Sequence, residues 1–257
     1  MYGEPAVLDR ELAFVREAAD RAAEIALPLF ERGPEVRLKP DASPVTEADL
    51  RIERMVRDEL AHRFPADAVL GEEGGGSLGP GRVWIVDPID ATRNFARGLQ
   101  VWGTLLALAI DGEPVLGLVS APALGERYEA VRGEGASLNG TPIHVSSVAA
   151  LSDATLCHYE TKLWLERPEL REALLGLVTE ADRSVGFTDF WGHCLVARGS
   201  IEVMLEPSLH VWDWAPLKVL VEEAGGSMTA FDGGPCVEGG SILSTNGHLH
   251  RTIVESL

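Results

Sequence analysis

The sequence predicts an α+β protein in which helices and sheets form alternating layers. In the first half, two amphipathic helices precede several strands that are joined by short turns such as residues 111–114. In the second half, helical patterns alternate with short strands, which is typical of a layered α/β unit. Because no internal repeat and no Gly-, Ser- or Pro-rich linker separates the halves, we expect one continuous unit.

Apolar residues at helical spacing predict a first helix from Leu8 to Phe30, which Gly33-Pro34 ends. A loop then leads to Thr46, after which a second amphipathic helix begins. A strand end at Val69-Leu70 runs into a glycine-rich loop. Further strands are expected at residues 83–86, 101–110, 115–120 and 127–131. Their short connections indicate antiparallel neighbours.

The second half contains three helical patterns and four strand patterns. The helices are expected near residues 168–180, 189–199 and 213–224. The strands are expected near residues 155–159, 201–205, 227–230 and 241–244. We therefore divide the chain into residues 1–145 and 146–257, with the seam near residues 140–150.

Composition narrows the class of protein. The chain has 257 residues, of which 46% are hydrophobic, and this is enough for a folded core. No apolar run approaches the roughly 20 residues of a membrane span, and the N-terminus lacks the layout of a signal peptide. A formal charge of −18 disfavours binding to nucleic acid or anionic membranes. We expect a soluble, cytoplasmic protein with neither a membrane nor a nucleic-acid partner.

The most informative stretch runs from Trp84 to Phe95 and carries two aspartates next to a strand. The four apolar residues at positions 83–86 lead into Asp87, and Pro88 predicts that the chain turns there. Asp90 and Thr92 are residues that start helices. A strand end beside a helix start offers carboxylates for a cation such as Mg²⁺. The alternative is that Asp87 merely ends the strand and Asp90 merely caps the helix.

Two other segments carry the same ambiguity. Asp213 opens a predicted helix that ends at Gly225, so it is either a helix cap or a functional carboxylate. Thr46 and Asp49 have the spacing of a capping box. That role is compatible with chemistry, because a capped helix start holds a carboxylate rigidly.

Three motifs in this order resemble the inositol monophosphatase family. They are Gly71-Glu72-Glu73, the stretch Asp87-Pro88-Ile89-Asp90-Ala91-Thr92, and Trp212-Asp213. The resemblance extends from the first helix to the end of the chain. Within the family, this sequence resembles the bacterial histidinol-phosphatase branch most. Four further stretches support that choice: residues 43–46, 119–124, 188–190 and 245–250.

The resemblance implies a layered αβαβα sandwich of the inositol monophosphatase and fructose-1,6-bisphosphatase type. It also implies a Mg²⁺-dependent phosphomonoester hydrolase that uses direct attack of a metal-activated water. Histidinol phosphate is the expected substrate, and inositol 1-phosphate or other sugar phosphates are the alternative. The partner is thus a small phosphorylated metabolite, and relatives suggest a homodimer. A non-catalytic regulator that binds metal or phosphate is a more remote alternative.

Carried over by position, the resemblance assigns the metal ligands. They are the side chains of Glu72, Asp87, Asp90 and Asp213 and the backbone carbonyl of Ile89, around two or three Mg²⁺ ions. Four carboxylates without cations would repel one another and a phosphate dianion, so the chemistry agrees with this assignment.

The resemblance also assigns catalytic and substrate-facing residues. Asp49 and Thr92 are expected to orient or deprotonate the water, and Glu72 is expected to be catalytic as well as a metal ligand. Asp90, Ala91 and Thr92 are expected to face the phosphate. The family has glycine where Ala91 stands, so a methyl group could crowd the phosphate or exclude a positive φ. If the position is helical, the change costs little.

Substrate choice is expected to depend on two acidic residues, Asp189 and Glu206. Histidinol phosphate carries an ammonium and an imidazole, and cationic groups favour carboxylates. Only Asp189 discriminates between the substrates, because Glu206 matches a position that is acidic in inositol-type enzymes too. The alternative for Asp189 is a surface salt bridge.

Overall fold

The computed structural model describes residues 8–40, 42–186 and 189–257. Thr188, which belongs to one stretch of the family resemblance, lies outside the described residues. The helices are α1 Asp9–Arg32, α2 Glu47–Arg63, α3 Thr92–Ala96, α4 Thr161–Glu166, α5 Pro168–Glu180, α6 Phe190–Ala197, α7 Val211–Glu223 and α8 His250–Ser256. Among the described residues, none of these helices has both the length and the apolar run that crossing a membrane requires.

The described strands form two large sheets and one short hairpin. The hairpin is β1 Val36–Leu38 with β2 Pro44–Thr46. The first sheet contains β3 Ala68–Gly71, β4 Arg82–Asp90, β5 Gly103–Ile110, β6 Glu113–Ala121, β7 Glu126–Val131, β8 Gly135–Leu138 and β9 Thr141–Ile143. The second contains β10 Thr155–His158, β11 Arg183–Gly186, β12 Val203–Leu209, β13 Ser227–Thr229 and β14 Gly240–Thr245.

The seven-stranded sheet follows the chain order from β3 to β9. Its pairs are antiparallel except β3 with β4, which is parallel. The expectation of purely antiparallel neighbours is therefore wrong at this edge. The rule for short connections does not apply there, because the loop over residues 72–81 is long enough to carry the chain back along the sheet.

Helices and sheets alternate in five layers, which confirms the αβαβα prediction. Helices α1 and α2 cover one face of the seven-stranded sheet, and α6 and α7 fill the space between the two sheets. The five-stranded sheet, in the order β11-β10-β12-β14-β13, has α4, α5 and α8 on its far side. Each contact between layers is an apolar core. The predicted division at residues 145 and 146 stays a prediction.

Strand β4 shows how one sequence serves two cores. Trp84 and Val86 pack against α1 and α2, whereas Val83 and Ile85 belong to the middle core with α7. This alternation follows from the two-residue period of a strand. The next residue with the parity of Val83 and Ile85 is Asp87, which thus lies on the side of the sheet that α7 covers.

Candidate active site

The structure brings together three aspartates from two distant segments. One carboxylate oxygen each of Asp87, Asp90 and Asp213 lies within 4.8 Å of the other two. Asp87 is buried, and Asp90 and Asp213 are half-buried. Residues separated by more than a hundred positions converge here.

A bulge at the end of β4 presents Asp87 and Asp90. Asp87 pairs with Leu105 and Asp90 with Gly103, so one extra residue lies on the β4 side. The prediction that the chain turns at Pro88 is wrong, because the strand continues to Asp90. Proline is tolerated at a bulge, where ladder hydrogen bonds are already interrupted.

Helix α7 carries Asp213 as its third residue rather than its first. The helix begins at Val211, and Asp213 Oδ2 accepts a hydrogen bond of 2.9 Å from the backbone N–H of His210. The carboxylate therefore closes the start of the helix and also faces Asp87 and Asp90. Gly117 of β6 allows the helix to approach, since a Cβ there would lie 2.4 Å from the carbonyl oxygen of Pro216.

A second acidic cluster lies beside the first. Oxygens of Asp49, Glu72 and Glu73 are within 4.8 Å of one another. Buried Glu53 of α2 holds the loop that carries two of them. It accepts hydrogen bonds of 2.7 Å each from the N–H groups of Glu73 and Gly74. The sequence motif Gly71-Glu72-Glu73 indicated this loop, but no sequence pattern marked Glu53 as part of the site.

Lys39 is a cation within the second cluster that the sequence analysis did not assign to the site. Its Nζ lies 2.7 Å from Glu72 Oε1 and 2.5 Å from Glu73 Oε1. Burial opposes the ammonium charge, but the hydrogen bonds to both glutamates outweigh it and raise the pKa of Lys39. The ammonium thus offsets part of the negative charge in this cluster.

Asp49 caps helix α2 and also lies beside Thr92. Its Oδ2 accepts from the N–H of Thr46 at 2.8 Å, which completes the capping box of α2. Its Oδ1 lies 3.4 Å from Thr92 Oγ1, which in turn donates to the carbonyl of Ile89 at 2.9 Å. Asp49, Thr92 and Ile89 are therefore neighbours.

Crowding of carboxylates changes their affinity for protons. Burial raises the pKa of Asp49 to about 7, and that of Asp213 also to about 7. Burial followed by repulsion from neighbouring carboxylates raises the pKa of Asp87 and Asp90 well above the usual range. The two clusters thus disfavour full ionisation without a compensating cation.

The donor set fits hard divalent cations. It consists of carboxylate oxygens, which Mg²⁺ prefers. Asp87 Oδ1 is buried and has no hydrogen-bond partner among the described residues. An oxygen of this kind is costly to bury without a hydrogen bond or a cation, and a bound cation would remove that cost. The Ile89 carbonyl retains a second lone pair beyond its bond to Thr92.

A cavity of about 340 Å³ opens onto the first cluster. Its lining includes Glu72, Asp90, Thr92 and Asp213 together with Asp189 and Glu206. The structure thus places the predicted substrate-facing residues around one space.

Asp189 is buried, so the surface salt bridge considered above is wrong. Its Oδ2 accepts a hydrogen bond of 2.7 Å from Asn94 Nδ2, and Tyr159 also hydrogen-bonds to it. The backbone of Asp189 has φ 44° and ψ −143°, a conformation that costs of order 1–3 kcal/mol in a non-glycine residue. Strain of this kind clusters at functional sites, in agreement with a role for Asp189 at the cavity.

Comparisons with known proteins agree with this geometry. The sequence pattern of the inositol monophosphatase family matches residues 8–257. The chain belongs to this family. A histidinol-phosphatase of Mycobacterium tuberculosis is 46% identical over 96% of this chain and 97% of its own length. One from Streptomyces coelicolor is 43% identical over 85% of each chain.

A solved structure supports the fold independently. An inositol monophosphatase from Zymomonas mobilis superposes with a TM-score of 0.86, at 31% identity and over 98% of both chains. Within the inositol monophosphatase family, these relatives identify the present chain as a phosphomonoester hydrolase. The acidic clusters agree with the metal dependence of the family.

Ala91 stands where the inositol monophosphatase family motif has glycine, and the structure shows the backbone conformation of this position. Its φ of 61° and ψ of 46° place it in the left-handed region, immediately before α3. The alternative in which residue 91 is helical, so that alanine in place of glycine costs little stability, is therefore wrong. An L-residue with a Cβ pays about 1–2 kcal/mol in this conformation, whereas glycine does not.

Ala91→Gly is expected to raise the melting temperature by about 2–4 °C, which corresponds to roughly 1 kcal/mol in a chain of this size. Removal of the left-handed strain outweighs the extra freedom that glycine gives the unfolded chain. Thermal unfolding at a fixed Mg²⁺ concentration measures this change in melting temperature.

Ala61→Gly is the matched control, because Ala61 is an exposed residue of α2. There, the same substitution is expected to lower the melting temperature, since glycine destabilises a helix by about 1 kcal/mol. If both variants were destabilised equally, Ala91 would carry no strain.

Proposed function

We propose that this protein is a Mg²⁺-dependent histidinol-phosphatase, which converts L-histidinol phosphate and water to L-histidinol and phosphate. The observation that carries the proposal is one cavity that joins the Asp87, Asp90 and Asp213 cluster to two further buried acids, Asp189 and Glu206. The first group suits cations that neutralise a phosphate. The second suits a cationic leaving group. The histidinol-phosphatase relatives support this assignment.

Two or three Mg²⁺ ions would be held by Glu72, Asp87, Asp90, Asp213 and the carbonyl of Ile89. When bound, Mg²⁺ supplies the positive charge that shields the phosphate oxygens and makes a water molecule more acidic. The buried and unpartnered Oδ1 of Asp87 supports its place in this set. So does the mutual repulsion of these carboxylates without cations.

Asp49 and Thr92 are proposed to remove a proton from the attacking water. A hydroxyl has one proton, so Thr92 donates either to Ile89 O or to Asp49 Oδ1 at any moment. When it donates to Asp49, its lone pairs are free to accept from water. A pKa of about 7 suits Asp49 to accept a proton near neutral pH, and burial is the main cause of that value.

Asp189 and Glu206 are proposed to receive the cationic part of the substrate. Glu206 is buried at 2% exposure, and Asp189 at 7%. Buried carboxylates favour an ammonium or imidazolium because either cation relieves their repulsion. A neutral inositol ring supplies hydroxyl groups but no such charge.

A phosphate-release assay with L-histidinol phosphate and inositol 1-phosphate, in Mg²⁺ and in chelator, tests this proposal. We expect release from histidinol phosphate in Mg²⁺ and none in chelator. Preference for inositol 1-phosphate would favour an inositol-1-monophosphatase or a broad sugar-phosphate phosphatase, which the Zymomonas mobilis structure supports as second candidate. Release from neither ester, despite Mg²⁺ binding, would favour a non-catalytic regulator.

Asp189→Asn is expected to lower kcat/KM for histidinol phosphate about 10- to 100-fold, because it removes a buried charge that faces a cation. The loss for inositol 1-phosphate is expected to be at most a few-fold. Asp182→Asn, an exposed residue seven positions earlier, is the control and should change neither value. Equal losses for both substrates would refute the role of Asp189 in choosing between them.

We also propose that the enzyme is a homodimer, as its family resemblance implies, and that it is cytoplasmic, as its hydropathy pattern predicts. Sedimentation analysis of the purified chain tests the dimer, and fractionation of cells tests the compartment.

A further inference from the structure

Three buried polar side chains lie in a row behind the cavity. His193 Nδ1 is 2.7 Å from Ser244 Oγ, and His193 Nε2 is 3.7 Å from Glu206 Oε2. His193 and Ser244 are completely buried, and Glu206 is 2% exposed. Glu206 also lines the cavity, so the row connects the protein interior to the site.

The sheet register explains why these residues meet. In the antiparallel pair of β12 and β14, Met204 lies opposite Ser244 and Glu206 opposite Ile242. Directly opposed residues share a face, so Ser244 and Glu206 are diagonal neighbours on that face. Helix α6 packs against the same two strands and places His193 between them.

Two atoms in this row have no hydrogen-bond partner among the described residues. They are His193 Nε2 and Glu206 Oε2, and they face each other. An unpaired buried polar atom costs about 1–3 kcal/mol. If the two atoms moved closer by less than about 1 Å, they would form a hydrogen bond and both would be paired. The other ring nitrogen, Nδ1, already has its partner in Ser244.

A neutral imidazole suits this position in either charge state of the glutamate. Burial lowers the pKa of His193 to about 3, so the ring has one N–H and one acceptor nitrogen. If Glu206 is ionised, Nε2–H donates to it and the Ser244 hydroxyl donates to Nδ1. If Glu206 is protonated, its O–H donates to Nε2 and Nδ1–H donates to Ser244.

We propose that His193 is a positioning residue that fixes the carboxyl group of Glu206 at the cavity wall, with Ser244 orienting the ring. The inference rests on the proposed function in one respect, namely that Glu206 faces the leaving group. Without the imidazole, the glutamate would keep an unpaired buried oxygen and could rotate away from the substrate. Substrates that reach Glu206 would then bind less well.

The test compares His193→Gln with His193→Met, which have similar length and differ mainly in hydrogen bonding. We expect His193→Met to lower kcat/KM for L-histidinol phosphate about 10-fold, chiefly through KM. His193→Gln should stay within about threefold of the wild type, because an amide can donate to or accept from Glu206. In a Glu206→Leu background, where residue 206 has no hydrogen-bonding group, the advantage of Gln over Met should disappear.

Two results would overturn the inference. One is equal kinetics for the Met and Gln variants, and the other is an undiminished advantage of Gln over Met in the Glu206→Leu background. If the wild type hydrolysed no ester, the proposed function would be wrong. The melting temperatures of the same proteins would then decide the inference: an advantage of Gln over Met that disappears with Glu206→Leu supports the contact, and one that persists refutes it.

Discussion

Asp213→Asn is expected to lower kcat by about three orders of magnitude or more, with the fold intact. The carboxylate lies within 4.8 Å of Asp87 and Asp90, where its charge would help to hold a cation. An amide is neutral and binds Mg²⁺ more weakly. Because asparagine can still accept the hydrogen bond from His210 N–H, the start of α7 should be preserved. Steady-state phosphate release and circular dichroism measure the two effects.

Asp232→Asn is the control for the loss of one negative charge, because Asp232 is exposed and does not line the cavity. It should leave kcat unchanged. Asp90→Asn is expected to reproduce the loss seen with Asp213→Asn, since both residues belong to the same cluster. Near-normal turnover in either cluster variant would refute the proposed ligand set.

The elements that the sequence predicted best are those that local patterns determine. Helix α5 was expected near residues 168–180 and spans Pro168–Glu180. Its boundaries depend on proline at the first turn and on helical spacing, and both are visible in the sequence. The layered order was likewise predictable from the alternation of helix and strand patterns.

Parts of the site that depend on long-range packing were not predictable. Glu53 looks like an ordinary helix-surface residue, yet it binds the backbone of Glu73, twenty positions later. Lys39 lies in a loop whose position relative to Glu72 only the fold determines. His193 meets Glu206 and Ser244 through strand register, which a single sequence does not specify.

Two local errors show where side-chain type misleads. Alanine favours the right-handed helix, so Ala91 gave no sign of its positive φ except through comparison with the glycine of the family. Pro88 usually ends strand pairing, but here it sits in a bulge that re-aims Asp90. Both exceptions lie at the site, where local preference yields to the geometry of the carboxylates.

Removal of Mg²⁺ is expected to abolish turnover and to reverse the pH dependence of stability. In the metal-free protein, burial raises the pKa of Asp49 and Asp213 to about 7 each, above the usual 3.8. The folded state then binds more protons than the unfolded state between pH 4 and 7. Its stability therefore falls as the pH rises through that window.

The expected size follows from the proton linkage. For a pKa of about 7, a change from pH 8 to pH 6 stabilises the folded, metal-free state by about 1.4 kcal/mol per group. We therefore expect the melting temperature in chelator to be several degrees higher at pH 6 than at pH 8. With Mg²⁺, protons compete with the metal, so the melting temperature should instead be higher at pH 8.

Two further measurements separate this linkage from a general effect of charge. Calorimetric titration in two buffers of different ionisation enthalpy should detect proton release when Mg²⁺ binds near pH 7. In chelator, Asp213→Asn should be more stable than the wild type at pH 8, because it removes a buried charge, and Mg²⁺ should stabilise it less. Identical pH profiles with and without Mg²⁺ would mean that these carboxylates do not hold the metal. The pH effect would then belong to the acidic surface of a chain whose formal charge is −18.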